Sequence, residues 1–270
     1  GWRSSAVISG VVVMAVVVLL SLVMRRSPES MGLLPDGDRD PPVARKNLLG
    51  IESSGFARQF ATVDFTAREA IRTPTYWLLA VAIGLRISGT SGLFVHMVPL
   101  IVWKGHSEPT GAFIVAAVSF ASIPTRVVLG SIGDRWATQK ILGITTASGV
   151  ASLAILLLGG GQLWQLLTFT VMFAASMSSG ALGWALIGDL FGRKSFATLR
   201  GGITAVSSLM STGMPVFVGW VYDTSGSYYW ALTPMIGMYL MASLLFWKLP
   251  RPRLPSRVAD PTTGDAFIGQ

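Results

Sequence analysis

Residues Ala6–Met24, AVISGVVVMAVVVLLSLVM, contain no charged side chain. About 20 apolar residues in succession is what a helix needs to cross the hydrocarbon core of a bilayer. Six further stretches have this character: Thr75–Trp103, Thr110–Ile132, Ile141–Leu158, Leu163–Leu190, Gly201–Tyr222 and Tyr229–Leu249. In hydrocarbon, backbone amides must bond within the protein, which leaves helices or a closed barrel. None of the seven stretches alternates with period two, so a barrel is excluded. The expected fold is therefore all-α and integral to the membrane, with seven transmembrane helices. A signal peptide is a poorer reading of Ala6–Met24, because basic residues follow it without a small-residue cleavage site.

The formal net charge of +8 would suit a nucleic-acid partner, but only 13% of residues are charged and none form a basic face. They sit instead in the short segments between apolar runs. Residues 25–73, 133–140, 191–200 and the segment after Leu249 hold most of the Lys and Arg; the alternate loops 104–109, 159–162 and 223–228 hold only Lys104. By the positive-inside rule the N-terminus is extracytoplasmic and the C-terminus cytoplasmic, in a plasma or inner membrane. Trp77, Trp103, Trp164, Trp220, Tyr222, Tyr228, Tyr229, Trp230 and Trp247 lie near the ends of runs, as an interfacial belt does; Trp184 reads as core.

The layout expected is a first helix at 1–24, a cytoplasmic loop at 25–73, six helices in 74–249 and a Pro-rich, unstructured tail at 250–270. Residues 36–47 read as disordered linker. In DFTAREAIRTPTYW (Asp64–Trp77), Thr66 and Glu69 have capping-box spacing, predicting a short surface helix that Pro74 ends or restarts. The absence of cysteine excludes disulfides and thiolate chemistry. His96 and His106 have no carboxylates clustered around them, so no metal and no cofactor is expected. No phosphate-cradling glycine loop is present, which argues against nucleotide hydrolysis and enzyme chemistry.

The loop GSIGDRWATQK (Gly130–Lys140) resembles the inner-loop signature of the major facilitator superfamily, through Gly130, Asp134, Arg135 and Lys140, with Ala137 and Thr138 departing from it. RRSPESMGLLPDGD (Arg25–Asp38), DFTAREAIRTPTYWLL, HMVPL (His96–Leu100), DLFGRKSFATLRGG (Asp189–Gly202) and GWVYDTSGSYYWAL (Gly219–Leu232) are similar to the monocarboxylate transporter and oxalate/formate antiporter branch. The resemblance implies that the chain is a fragment: helix six of twelve, the central cytoplasmic loop, and the complete C-terminal six-helix half-bundle. The missing N-terminal half would lie upstream or on a separate chain. Substrate would bind at the midplane, between halves that rock around it.

Two arginines lie within the apolar runs. Arg86 is about 11 residues into its stretch, close to mid-height at the helix rise per residue. Arg126 lies nearer the end of the next. A charge in lipid is costly, so both are expected to face protein or water, and the planar guanidinium suits a carboxylate. The resemblance places Arg126 at the carboxylate-binding arginine of the eighth helix. Some relatives add a lysine on the eleventh helix; Gly201–Tyr222 has none, which favours a monocarboxylate. His96 is a proton-coupling candidate. Gly130, Asp134, Arg135 and Lys140 read as gating residues. Ser176, Ser179, Gly180 and Gly183 read as a packing face, and Asp189 as a structural partner of an arginine. The function expected is secondary transport of a small organic anion, with protons as a possible second partner. The alternatives are a facilitator of another organic solute, a seven-helix receptor, or a half-transporter without function of its own.

Overall fold

The computed structural model describes residues 2–23, 64–133 and 136–253. Its elements are α1 (Trp2–Val23), α2 (Ala67–Ile71), α3 (Pro74–Val95), α4 (Met97–Trp103), α5 (Glu108–Gly133), α6 (Thr138–Leu158), α7 (Leu163–Ser178), α8 (Gly180–Phe191), α9 (Phe196–Ser225) and α10 (Tyr229–Trp247). The described residues form no strand. Helix α1 belongs to a unit of its own and the remaining helices to a second unit.

Six helical segments are long and apolar enough to cross a membrane: α3, α5, α6, α7 with α8, α9 and α10. The protein is thus a multi-pass membrane protein. The expected seventh, α1, is a helix of 22 residues and is not among these six. Two expected single helices are each divided. The run Thr75–Trp103 breaks at His96, and Leu163–Leu190 breaks at Ser179.

Local chemistry explains the start of the bundle. Thr66 Oγ1 accepts from the Glu69 amide at 3.3 Å, and Glu69 Oε2 accepts from the Thr66 amide at 2.8 Å, the reciprocal box read from the sequence. Thr73 then caps α3 by accepting from the Tyr76 amide, with Pro74 at the first helical position where its missing N–H costs nothing. The predicted linker at 36–47 and most of the tail lie outside the described residues.

Helix α3 packs on α9 and α10, α10 on α6, α6 on α7, α7 on α5, and α5 on α4, which closes the ring. The core has two apolar clusters. One, around Leu79, Leu142, Phe191 and Phe246, lies toward the end where Asp64 sits; the other, around Met97, Phe169, Phe173 and Tyr228, lies toward the end bearing Lys104. Between them five of the six spanning segments change character at mid-height. Ser88, Gly89 and Thr90 interrupt α3; Ser122, Thr125 and Arg126 interrupt α5; Thr145, Thr146 and Gly149 interrupt α6; Ser178, Ser179 and Gly180 interrupt α7–α8; Ser207, Ser208 and Ser211 interrupt α9. A layer of hydroxyls and glycines thus crosses the middle of the bundle. Most of its hydroxyls donate to a carbonyl three or four residues back in their own helix, which lets them sit in an apolar pack.

Candidate functional site

The two arginines stand in this middle layer in opposite settings. Arg86 on α3 is 6% exposed. Its Nε is sealed from solvent and has no hydrogen-bond partner in the protein. Arg126 on α5 is exposed. Only 17% of the apolar window of α5, and the same share of α9, is buried, against 56% for α3 and 50% for α6. The open faces of α5 and α9 carry Arg126, Ser119, Thr204, Ser208 and Thr212.

Around Arg86 the neighbours are hydroxyls and hydrogens. Thr90 Oγ1 donates to the Arg86 carbonyl at 2.9 Å and lies 2.7 Å from the Tyr239 hydroxyl. The two hydroxyls form a hydrogen bond in which either can donate. The Tyr239 ring is held between two glycines. A Cβ on Gly89 would stand 2.6 Å from the ring, and so would one on Gly149. Arg86 Nη2 lies against Gly180, 3.5 Å from where a Cβ would be. Ser178 Oγ lies 3.0 Å from the Ser122 carbonyl, one helical turn before Arg126. The α7–α8 break therefore touches α5 on one side and Arg86 on the other. Gly183 faces Ile83 at about van der Waals distance, which agrees with the packing role expected of the small-residue face.

His96 caps the α3–α4 junction. Its Nε2 is 3.0 Å from the Pro215 carbonyl of α9, and its Nδ1 is 3.4 Å from the Tyr228 hydroxyl. A carbonyl only accepts, so Nε2 carries a proton. Nδ1 is then free to accept from Tyr228 when neutral, or to donate to it when charged. Tyr228 itself, between α9 and α10, is pushed up to about 12 by burial and by neighbouring Tyr222 and Asp223, so it stays protonated.

Lys104 Nζ donates to the Gly159 carbonyl at 2.8 Å and lies over the Trp103 and Tyr229 rings at 4.9 and 5.1 Å. Burial holds its ammonium below the usual lysine value. His106 Nε2 donates to the Gly161 carbonyl. These bonds tie the α4–α5 loop to the α6–α7 loop.

At the other end, Asp64 Oδ1 accepts from the Arg193 and Lys194 amides at 2.8 and 3.2 Å, and the Phe65 amide donates to the Phe191 carbonyl. Gly192 makes this turn with φ +78°, and a Cβ there would be 2.3 Å from Asp64 Oδ1, so only glycine fits. Asp189 accepts from the Thr138 hydroxyl at 3.0 Å, in place of the arginine expected from the sequence. Of the gating residues, Gly130 and Lys140 are exposed at this end, while Asp134 and Arg135 lie outside the described residues. Among the described residues no cluster suits a metal.

Sequence reading overlooked Tyr239, the Asp64–Gly192 turn and the middle layer. The layer had a visible signal: Ser, Thr and Gly recur at mid-run in five of the helices, where leucine and valine would be expected.

Residues 1–187 match the Major Facilitator Superfamily. The chain belongs to that superfamily. A further similarity is to Monocarboxylate transporter 12 of Xenopus laevis, 28% identical over 159 residues. The match covers 57% of this chain and 35% of that protein, so the chain spans about a third of the length of the curated relative it matches. Membership in the superfamily, with a monocarboxylate transporter as a relative, supports membrane transport in general.

Proposed function

We propose that the chain contributes the C-terminal half of a secondary transporter that moves a small organic anion, a monocarboxylate, by alternating access. The observation that carries this reading is Arg126. It is a permanent cation exposed on a membrane-spanning helix whose face is not covered by its own bundle. Facing lipid, such a charge costs about 3 kcal/mol or more. Facing a second helical half across a wetted cleft, it becomes an attachment point for a carboxylate, which its planar fork can hold through two oxygens. The hydroxyls on the open face of α9 would complete a polar wall, and α1 would belong to the same transporter as a seventh span. The similarity to a monocarboxylate transporter supports the substrate class, and its greater length supports a further set of helices.

His96 is the proposed proton-coupling group, since its contacts with Pro215 and Tyr228 accommodate both charge states. The lysine and arginine distribution supports the cytoplasmic placement of the Asp64 end, and Gly130, Asp134, Arg135 and Lys140 are the proposed gating residues.

The test is counterflow of a radiolabelled monocarboxylate in proteoliposomes carrying the full-length transporter. Arg126→Gln should lower the initial rate at least about 100-fold, the scale of losing a charge-assisted bidentate contact, with unchanged membrane insertion. Counterflow at the unaltered rate in correctly inserted R126Q would overturn the assignment.

A further inference from the structure

Arg86 presents a charge balance that the bundle does not close. It lies at mid-height of α3, is nine-tenths buried, and has an Nε with no protein partner. The acids of the six-span region are Glu108, Asp189 and Asp223, which lie at helix ends, and Asp134, which is outside the described residues. Its own layer contains no aspartate or glutamate. None of the groups around it is a carboxylate: the Tyr239 hydroxyl pairs with Thr90, and the rest are serines, threonines and glycines. Thr146 Oγ1, another fully buried hydroxyl of this layer, also lacks a protein partner. A cation withdrawn from water without a counter-charge is strongly disfavoured, and such groups in proteins are paired. Arg86 cannot be spared the cost by losing its proton, since guanidinium stays charged in proteins. It also cannot snorkel, because the bundle encloses it.

We propose that the α7–α8 junction holds a small monovalent anion on the Arg86 guanidinium, inside the six-helix pack and separate from Arg126. The chemistry fits one anion of low volume. One cation requires one negative charge, the hydrogens on Nε and Nη offer a fork for a carboxylate or a halide, and Gly180 keeps side-chain volume away from Nη2. The anion is either a resident inorganic ion such as chloride or the carboxylate of a small organic acid. It neutralises the middle layer and holds α3 to the α7–α8 break.

The experiment is thermal unfolding of the purified full-length transporter, followed by tryptophan fluorescence, at constant ionic strength in sodium gluconate. Chloride and formate are titrated in separately. The unfolding temperature should rise saturably, by at least about 3 °C, because a ligand that binds only the folded state stabilises it. The rise is read in the Arg126→Gln background, where no carboxylate is held at Arg126; it should persist there and vanish when Arg86→Gln is added. A response to both anions identifies a resident ion site, and a response to formate alone identifies a carboxylate site; each upholds the proposal. If Arg86→Gln fails to insert, Gly180→Val keeps the charge but fills the space beside it, and should abolish the response on its own. No anion dependence in the unaltered protein overturns the proposal. So does a response lost altogether in Arg126→Gln, or one that in the Arg126→Gln background survives Arg86→Gln or Gly180→Val. Failure of the counterflow test at Arg126 leaves this result unaffected, so the two assignments stand or fall apart.

Discussion

The two ends of the helix pack are fastened by opposite chemistry. At one end a carboxylate, Asp64, collects backbone N–H groups from the turn after α8. At the other, a lysine and a histidine donate to backbone carbonyls of the loop after α6. The first fastening joins segments 129 and 130 residues apart and depends on a backbone shape that only glycine adopts. The second joins segments 55 residues apart and rests on long, adaptable side chains that also lie on aromatic rings. A rigid fastening fails abruptly when altered, whereas an adaptable one loses only the bonds removed.

Breaking the rigid end should give the largest effect. Gly192→Val should destabilise the protein by about 3 kcal/mol or prevent its accumulation, because the substitution forces a strained φ and drives Asp64 out of the turn. Asp64→Ala should cost about 2 kcal/mol, the scale of losing charge-assisted bonds to amides. Denaturation in detergent measures both, and equal stability of D64A and the unaltered protein would show that the turn holds by itself. At the adaptable end, Lys104→Met keeps an apolar stem on Trp103 and Tyr229 and removes the bond to Gly159. A loss of about 1 kcal/mol or less is expected.

The smallest effect is confined to alkali and to one end. Tyr228 ionises at about 12 in the folded protein, above the ordinary value of 10.0. Between those values the folded state holds a proton that the unfolded state has released, so stability falls as pH rises from about 10 toward 12. Tyr228→Phe should remove this component of the alkaline loss. An unchanged pH profile in Y228F would place the loss elsewhere.

Legibility in the sequence followed the range of the interaction. The capping box at Thr66 and Glu69 and the restart at Pro74 are local, and both were readable. Six of the seven apolar runs coincide with segments long and apolar enough to span, since hydropathy needs no partner. The breaks at His96 and Ser179 were not readable, because hydropathy continues across them without interruption. The contrast between Arg86 and Arg126 was also hidden. Both are single arginines in apolar runs, and what separates them is which neighbouring helices close over them. The Asp64–Gly192 turn needed a match between residues far apart, and neither residue is unusual in its own surroundings.

Tyr239 sits between Gly89 and Gly149, and a Cβ on either glycine would meet the ring at 2.6 Å. In a library of substitutions these three positions should therefore behave as one epistatic unit. Alanine at 89 or 149 should be rejected beside tyrosine and tolerated beside a small residue at 239, so the effect of each codon is defined only once the other two are known.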